Sequence, residues 1–263
     1  MTFRNYDTIL AEKTDFHLKI KLNRPEKRNA LNGLMVEELN SVLSDAADDE
    51  SLRTISIEGD EKSFCSGADL EYLKSVAQYS WDQNYEDSKK LSDLYLNIYT
   101  HSKPIIAVVN GPAIAGGCGL ATVCDYVIST ENGKFGYPEV KIGFVASIVS
   151  EFLIRQIGEG KARHLLLTGE IVNSDKALEL GMINEIVEET KLFSRVNEII
   201  KNFKLCAPGS ISSTKKLFAT FNFTNLKKQV EQKARLNADF RQTDYFNEGV
   251  TAFLEKRKPN WTK

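Results

Sequence analysis

The stretch GPAIAGGCGLATVCD (residues 111–125) decides the fold, because it gathers small residues where a buried strand turns into a helix. Seven of its fifteen residues are Gly or Ala, and it follows the apolar run IIAVV (105–109). That run predicts a strand buried on both faces, and a helix is predicted from about Gly117. Glycines at such a junction leave the first N–H groups of the helix unpaired and open to close approach. The junction either binds an anion or stabilises an oxygen that becomes negative during reaction, although close helix–strand packing alone also requires small residues.

Strands and helices alternate on both sides of this stretch. FHLKIKLN (16–23) alternates apolar and polar residues as a half-buried strand does, and RTISIEG (53–59) and DYVIS (125–129) are also predicted strands. Asn32 is predicted to cap a helix that follows the first of them. Alternation of strands with helices predicts an α/β fold with parallel strands.

The pattern changes to helices alone beyond Glu189. Helices are predicted near 190–205, 209–220, 225–241 and 244–256. Their apolar positions exceed what a lone helical appendage needs to cover, and surplus apolar surface indicates an interface between subunits. These positions are Leu226, Val230, Leu236, Phe240, Phe246, Val250, Phe253 and Leu254.

The composition narrows the classes of function. The chain has 263 residues, of which 42% are hydrophobic and 27% charged, as in ordinary globular proteins. A net charge of −2 supplies no field that would recruit nucleic acid or an anionic membrane. No apolar run approaches the roughly 18 residues of a membrane span, and the N-terminal residues lack the pattern of a secretory signal. The four cysteines show no CxxC spacing, and the three histidines show no metal-ligand spacing. We therefore expect a cytoplasmic protein with no disulfide framework and no metal.

Two further segments point to chemistry at the small-residue turn. SFCSGADL (63–70) also places a glycine between an apolar strand and a helix, so two backbone N–H groups from two turns could form an oxyanion hole. KFGYPEVKIG (134–143) places Glu139 in a loop among apolar neighbours. A lone loop glutamate is usually solvated, but these neighbours predict a partly buried carboxyl with a raised pKa suited to proton transfer.

Five segments together resemble the crotonase, or enoyl-CoA hydratase/isomerase, family over essentially the whole chain. They are FCSGADL (64–70), NGPAIAGGCGLATVCDYVI (110–128), FGYPEVKIGF (135–144), KARHLLLTGEIVNSDKALELGMINEIV (161–187) and FLEKRKPNW (253–261). The resemblance implies a crotonase-type α/β fold: a spiral core of ββα turns over residues 1–200 and a helical oligomerisation region over residues 201–263. It also implies an acyl-CoA substrate, no metal or redox cofactor, and assembly as a homotrimer or hexamer.

The same resemblance implies roles for individual residues. The backbone N–H groups of Ala68 and Gly116 would hold the thioester oxygen of an acyl-CoA while an enolate forms. Glu139 would move the proton. Coenzyme A would run past Ala68, Asp69 and Leu70, and the terminal FLEKRKP segment would reach the nucleotide of a neighbouring subunit.

One departure from the family pattern bears on the reaction. Straight-chain enoyl-CoA hydratases hold water between two glutamates, and Gly119 stands where the first would be. The turn AGGCGLA and the loop PEVKIG resemble those of bacterial methylglutaconyl-CoA hydratases, so we expect a hydratase or dehydratase of a branched acyl-CoA such as 3-methylglutaconyl-CoA. Alternatives are a Δ3,Δ2-enoyl-CoA isomerase, a glutaconyl-type decarboxylase, and a non-catalytic acyl-CoA-binding or RNA-binding protein. The net charge and the lack of a basic stripe count against RNA.

Overall fold

The computed structural model describes residues 5–60, 62–220 and 226–261. The strands are β1 (Ile9–Thr14), β2 (His17–Leu22), β3 (Thr54–Glu58), β4 (Ile105–Val109), β5 (Pro112–Ile114), β6 (Tyr126–Thr130), β7 (Lys134–Gly136), β8 (Ile171–Asn173) and β9 (Glu185–Val187). The helices of the first two thirds are α1 (Gly33–Asp48), α2 (Leu70–Val76), α3 (Trp81–Thr100), α4 (Gly116–Thr122), α5 (Ser147–Ile157), α6 (Glu159–Thr168) and α7 (Ser174–Leu180). The later helices are α8 (Leu192–Lys204), α9 (Pro208–Thr220), α10 (Leu226–Arg241) and α11 (Asp244–Leu254).

Two sheets share these strands, and the chain moves from one sheet to the other. The larger sheet has the order β1-β2-β3-β4-β6-β9, and the smaller has the order β5-β7-β8. All neighbours in the larger sheet are parallel except the hairpin β1–β2, which the sequence pattern did not predict. Every residue of β3 and β4 is buried, as expected for strands covered by helices on both faces. The predicted α/β fold with parallel strands is therefore confirmed.

The helix predicted after the first turn is also confirmed, together with its cap. The Asn32 side chain accepts a hydrogen bond from the Met35 backbone N–H at 2.9 Å and begins α1. Such a cap satisfies one of the N–H groups that every helix start leaves unpaired. The buried face of α1 then packs in the main core beneath the larger sheet.

The four C-terminal helices lie close to their predicted positions, and the predicted break at 222–225 lies outside the described residues. α10 packs along α3 and α5, and α11 packs against α2 and the short 3-10 helix Pro138–Ile142. The C-terminal region therefore forms one wall of the same body as the core. No helix in the described ranges is both long enough and apolar enough to cross a bilayer.

The apolar C-terminal positions only partly support the argument for an interface. Leu226, Val230, Phe246 and Val250 are buried within their own chain, so they are not surplus surface. Leu236 and Phe253 do remain exposed, and so do large apolar side chains elsewhere in the chain. They include Leu167, Phe193, Leu205, Leu217 and Phe218.

We expect a trimer or a dimer of trimers, as the family resemblance implies, with part of this exposed apolar surface at the interfaces between subunits. Light scattering at micromolar concentration checks this expectation. A single-chain mass under those conditions would contradict it.

Candidate active site

The two small-residue turns interlock, and this close packing explains much of their composition. The Ile114 N–H donates to the Cys65 carbonyl at 2.9 Å, which ties the second turn to the first. A Cβ placed on Gly117 would lie 2.3 Å from the Cys65 carbonyl oxygen, and one on Gly67 would lie 3.1 Å from the Ala115 Cβ. Side chains at these positions would force the turns apart. Packing thus requires the glycines, as one of the two sequence interpretations held.

The same packing leaves two backbone donors free. The Leu31 N–H donates to the Gly67 carbonyl at 2.7 Å, and the Leu31 carbonyl accepts from the Asp69 N–H at 2.9 Å. Leu31 therefore bonds to the residues on either side of Ala68 and leaves the Ala68 N–H without an acceptor among the described residues. Gly116 is the first residue of α4, where no earlier turn supplies an acceptor. Neither N–H donates to another residue in the described ranges, and both residues line one cavity. The structure brings the predicted pair of donors together.

A strained residue precedes the second donor. Ala115 has φ 52° and ψ −125°, a backbone conformation that residues other than glycine rarely adopt. Such a residue costs about 1–3 kcal/mol and persists only where its surroundings enforce it. Here the Ala115 N–H donates to the Gly136 carbonyl at 2.8 Å, which links the turn to β7. The strained residue is thus the one that directly precedes Gly116 and sets the direction of its N–H.

Glu139 is a buried carboxyl in the same cavity, and one of its two oxygens lacks a partner among the described residues. The residue is 7% exposed, and its unpartnered oxygen is Oε2, judged against the part of the chain that the structure describes. Burial raises the pKa of Glu139 to about 7, because removal from water penalises the charged form. The carboxyl predicted from its apolar neighbours is therefore found buried, with a pKa suited to giving and taking protons near neutral pH.

The 3-10 helix that carries Glu139 is clamped from outside by α11. A Cβ on Gly249 would lie 2.1 Å from the Ile142 carbonyl oxygen, and a Cβ on Gly143 would lie 2.1 Å from the Tyr245 carbonyl oxygen. Two glycines, one from each element, therefore allow the backbones to touch. The Glu139 carbonyl accepts from the Phe144 N–H at 3.0 Å, which closes the short helix. The C-terminal region thereby fixes the position of Glu139.

The space beside Gly119 is already filled. A Cβ on Gly119 would lie 2.3 Å from Val149 Cγ1 and 3.2 Å from the Tyr95 hydroxyl oxygen. That hydroxyl donates to the Gly116 carbonyl at 2.7 Å, so Tyr95 also braces the turn that presents the Gly116 donor. A glutamate at 119 would need Val149 to move. The missing first glutamate is thus replaced by an apolar wall, and sequence reasoning had not singled out Tyr95 or Val149.

The cavity measures about 500 Å³ and combines an apolar lining with a polar cluster. In this cluster Arg241 Nη1 donates to Asp87 Oδ2 at 2.6 Å and to Asn84 Oδ1 at 3.2 Å. The Tyr72 hydroxyl donates to the other oxygen of Asp87. Arg241, Asp87 and Tyr72 all line the cavity, and sequence reasoning missed them because they come from three helices far apart in the chain.

The residues expected to run along coenzyme A have different surroundings. Ala68 lines the cavity, whereas Leu70 is half exposed at the start of α2. The Asp69 carboxylate caps α2 by accepting from the Glu71 N–H at 2.8 Å and accepts from Arg24 Nη2 at 2.6 Å. Burial is the largest single influence on Asp69 and raises its pKa, but the hydrogen bond and charge of Arg24 together with the Glu71 and Tyr72 N–H groups outweigh burial and hold the pKa below its usual value. Asp69 therefore organises the turn through its side chain, and its contact with coenzyme A stays a prediction.

Comparison with known proteins agrees with this architecture. The family model for enoyl-CoA hydratase/isomerase matches residues 15–263. A solved enoyl-CoA hydratase from Bacillus halodurans superimposes with a TM-score of 0.87 at 29% identity, over 94% of this chain and 100% of that one. The crotonase-type fold implied by the sequence motifs is confirmed.

Two relatives are similar along nearly their whole length. A Thermus thermophilus protein, provisionally named an enoyl-CoA hydratase, is 40% identical over 240 residues, or 91% of this chain and 95% of that one. The crotonyl-CoA hydratase of Syntrophomonas wolfei is 32% identical over 263 residues, or 97% of this chain and 98% of that one.

Proposed function

Because the chain belongs to the enoyl-CoA hydratase/isomerase family, we propose that it adds water to the double bond of a branched enoyl-CoA, such as 3-methylglutaconyl-CoA, or removes water in the reverse direction. One observation carries the proposal: a buried carboxyl with a pKa of about 7 shares a cavity with two unpaired backbone donors. Enolate chemistry needs donors and a proton carrier, and this cavity has both.

Each group in the cavity has a defined part in the proposed reaction. The thioester oxygen accepts hydrogen bonds from the Ala68 and Gly116 N–H groups, which draw electron density from the double bond. Water adds to C3, and the electron pair of the double bond moves onto the thioester oxygen as an enolate. The Glu139 carboxylate takes the proton that the water loses and delivers it to C2, which restores the carbonyl. One carboxyl thus serves as base and then as acid.

The rival reaction within the family is isomerisation. The packing of Val149 and Tyr95 beside Gly119 favours it, because no second carboxyl holds a water molecule there. Glu139 would then take a proton from C2 and return it to C4, with the same two donors holding the dienolate. Binding of acyl-CoA without catalysis is the rival of another class. The unpartnered Oε2 of the buried Glu139 argues against it, since both oxygens of a purely structural carboxyl would be hydrogen-bonded.

We expect 3-methylglutaconyl-CoA to exceed crotonyl-CoA by at least about tenfold in kcat/KM, a gap of roughly 1.4 kcal/mol in transition-state binding. The physical reason is that this site has a single catalytic carboxyl, Glu139, whereas straight-chain enoyl-CoA hydratases hold the attacking water between two. An unsubstituted chain such as that of crotonyl-CoA therefore has less help in positioning water here. Loss of the ultraviolet absorbance of the conjugated thioester measures both rates.

The same ultraviolet assay, extended to a 3-enoyl-CoA, decides between the rival functions. Faster conversion of a 3-enoyl-CoA to its conjugated isomer would favour the isomerase. Efficient hydration of crotonyl-CoA, the substrate named for the Syntrophomonas relative, would contradict the proposed preference.

A further inference from the structure

The guanidinium of Arg241 is buried in the cavity wall and only partly used. Arg241 is 7% exposed, and its hydrogen bonds to Asp87 and Asn84 both come from Nη1. Nε is buried without a partner, and Nη2 donates to no residue in the described ranges. Nε and Nη2 form one edge of the planar guanidinium, so a donor edge whose Nε has no partner belongs to a residue that lines the cavity.

An unpaired, charged donor edge at this depth needs an acceptor. The two parallel N–H bonds of a guanidinium edge match the two oxygens of a carboxylate better than any other common group. The charge of the cavity also suits an anion, because Lys141 lines it together with Arg241, and so does Lys90, whose ammonium pairs with Glu37. The acidic residues that line the cavity are Asp87, which already accepts a hydrogen bond from Arg241 Nη1, and Glu139.

We propose that the Nε–Nη2 edge of Arg241 receives a carboxylate at the far end of the acyl chain, so that the substrates are enoyl-CoA thioesters of dicarboxylic acids. This inference rests on the proposed function and specifies its substrate class by the end group. Asp87 and Tyr72 hold the guanidinium in place from the opposite edge. The other explanation is that Arg241 and Asp87 form an ion pair that only joins α10 to α3.

Saturated acyl-CoA pairs test the carboxylate site apart from any chemistry. Glutaryl-CoA and valeryl-CoA have acyl chains of equal length and differ only in a terminal carboxylate against a methyl group. We expect the wild-type protein to bind glutaryl-CoA at least about tenfold more tightly in isothermal titration, as a charge-assisted bidentate contact implies. The same comparison with adipyl-CoA and hexanoyl-CoA covers a longer reach.

Three substitutions separate the carboxylate site from a structural ion pair. Arg241→Met should bring the binding ratio of the pair to about one, since it keeps the length of the side chain and removes the charged fork. Asp87→Asn should raise the ratio above that of the wild type, because it leaves the guanidinium uncompensated. Arg235→Met is the matched control, because Arg235 is an exposed residue of the same helix that pairs with Glu231. It should leave the ratio unchanged.

The outcomes are distinguishable from those that bear on the proposed reaction. Equal ratios in the wild type and Arg241→Met, or equal ratios in the wild type and Asp87→Asn, would overturn the carboxylate site and leave a structural ion pair. If Arg241→Met does not fold, the wild-type ratio and the Asp87→Asn ratio decide. A preference for glutaryl-CoA without hydration of glutaconyl-CoA would support the carboxylate site and contradict the hydratase instead.

Discussion

Glu139→Gln is expected to lower kcat by about 10²–10⁴ while changing acyl-CoA affinity little, because it removes a general acid–base group and keeps the shape of the side chain. The structure makes this substitution informative. Oε2 of Glu139 bonds to none of the described residues, so replacing the carboxyl with an amide breaks no hydrogen bond of that atom within them. Steady-state rates and titration with a saturated acyl-CoA measure the two effects separately.

The pH profile assigns the loss to the carboxyl itself. The wild-type kcat/KM should fall as the pH drops through about 7, where burial places the pKa of Glu139, and the residual rate of Glu139→Gln should lack that step. Glu131→Gln, at an exposed residue, is the matched control. Full activity in Glu139→Gln would leave the reaction without the side chain assigned to it.

Stability gives a second readout of the same substitution. The pKa of Glu139 is higher in the folded protein than in the unfolded chain, so the folded state loses stability as the pH rises from the usual carboxyl range through about 7. The loss is on the order of 3 kcal/mol for a shift of this size. Glu139→Gln has no charge to bury, and its free energy of unfolding should exceed that of the wild type at pH 8. The burial that raises the pKa of Glu139 for proton transfer therefore lowers the stability of the folded protein at alkaline pH.

The backbone frame of the site could be predicted from local patterns. The strand at 105–109 and the turn after it follow from an apolar run meeting glycines, which depends only on neighbouring residues. Glu139 was predicted to be buried because its own neighbours are apolar. The motifs carried the pairing of Ala68 with Gly116, which periodicity alone would not have shown.

The walls of the cavity could not be predicted in the same way. Val149 and Tyr95 reach the space beside Gly119 from α5 and α3, and Arg241 meets Asp87 across 154 positions of the chain. Such contacts depend on how helices pack against one another, which no local pattern records. The apolar residues of α10 and α11 illustrate the same limit, because an amphipathic face looks alike whether its own chain or another subunit covers it.

Gly116→Pro is expected to lower turnover by about 10²–10³, because it deletes one oxyanion donor outright. The substitution breaks no helical hydrogen bond, since Gly116 is the first residue of α4, but proline disfavours the backbone conformation of the preceding Ala115, so a fold check is part of the experiment. The substitution also adds a Cβ, which would lie 3.2 Å from Leu31 Cδ1 and 3.3 Å from the Tyr95 hydroxyl oxygen. Gly116→Ala adds the same Cβ and keeps the N–H, so it measures the crowding alone.

The ratio of the two variants therefore measures the replacement of the N–H by the proline ring, with the crowding by Cβ removed. If both fold by circular dichroism and Gly116→Ala retains most of its kcat, a further loss of about 10² or more in Gly116→Pro belongs to the missing N–H and to the ring carbon that replaces its hydrogen. Equal rates would mean that the Ala68 N–H alone holds the thioester oxygen. The strained Ala115 would then serve packing between the two turns, and its positive φ would have no part in catalysis.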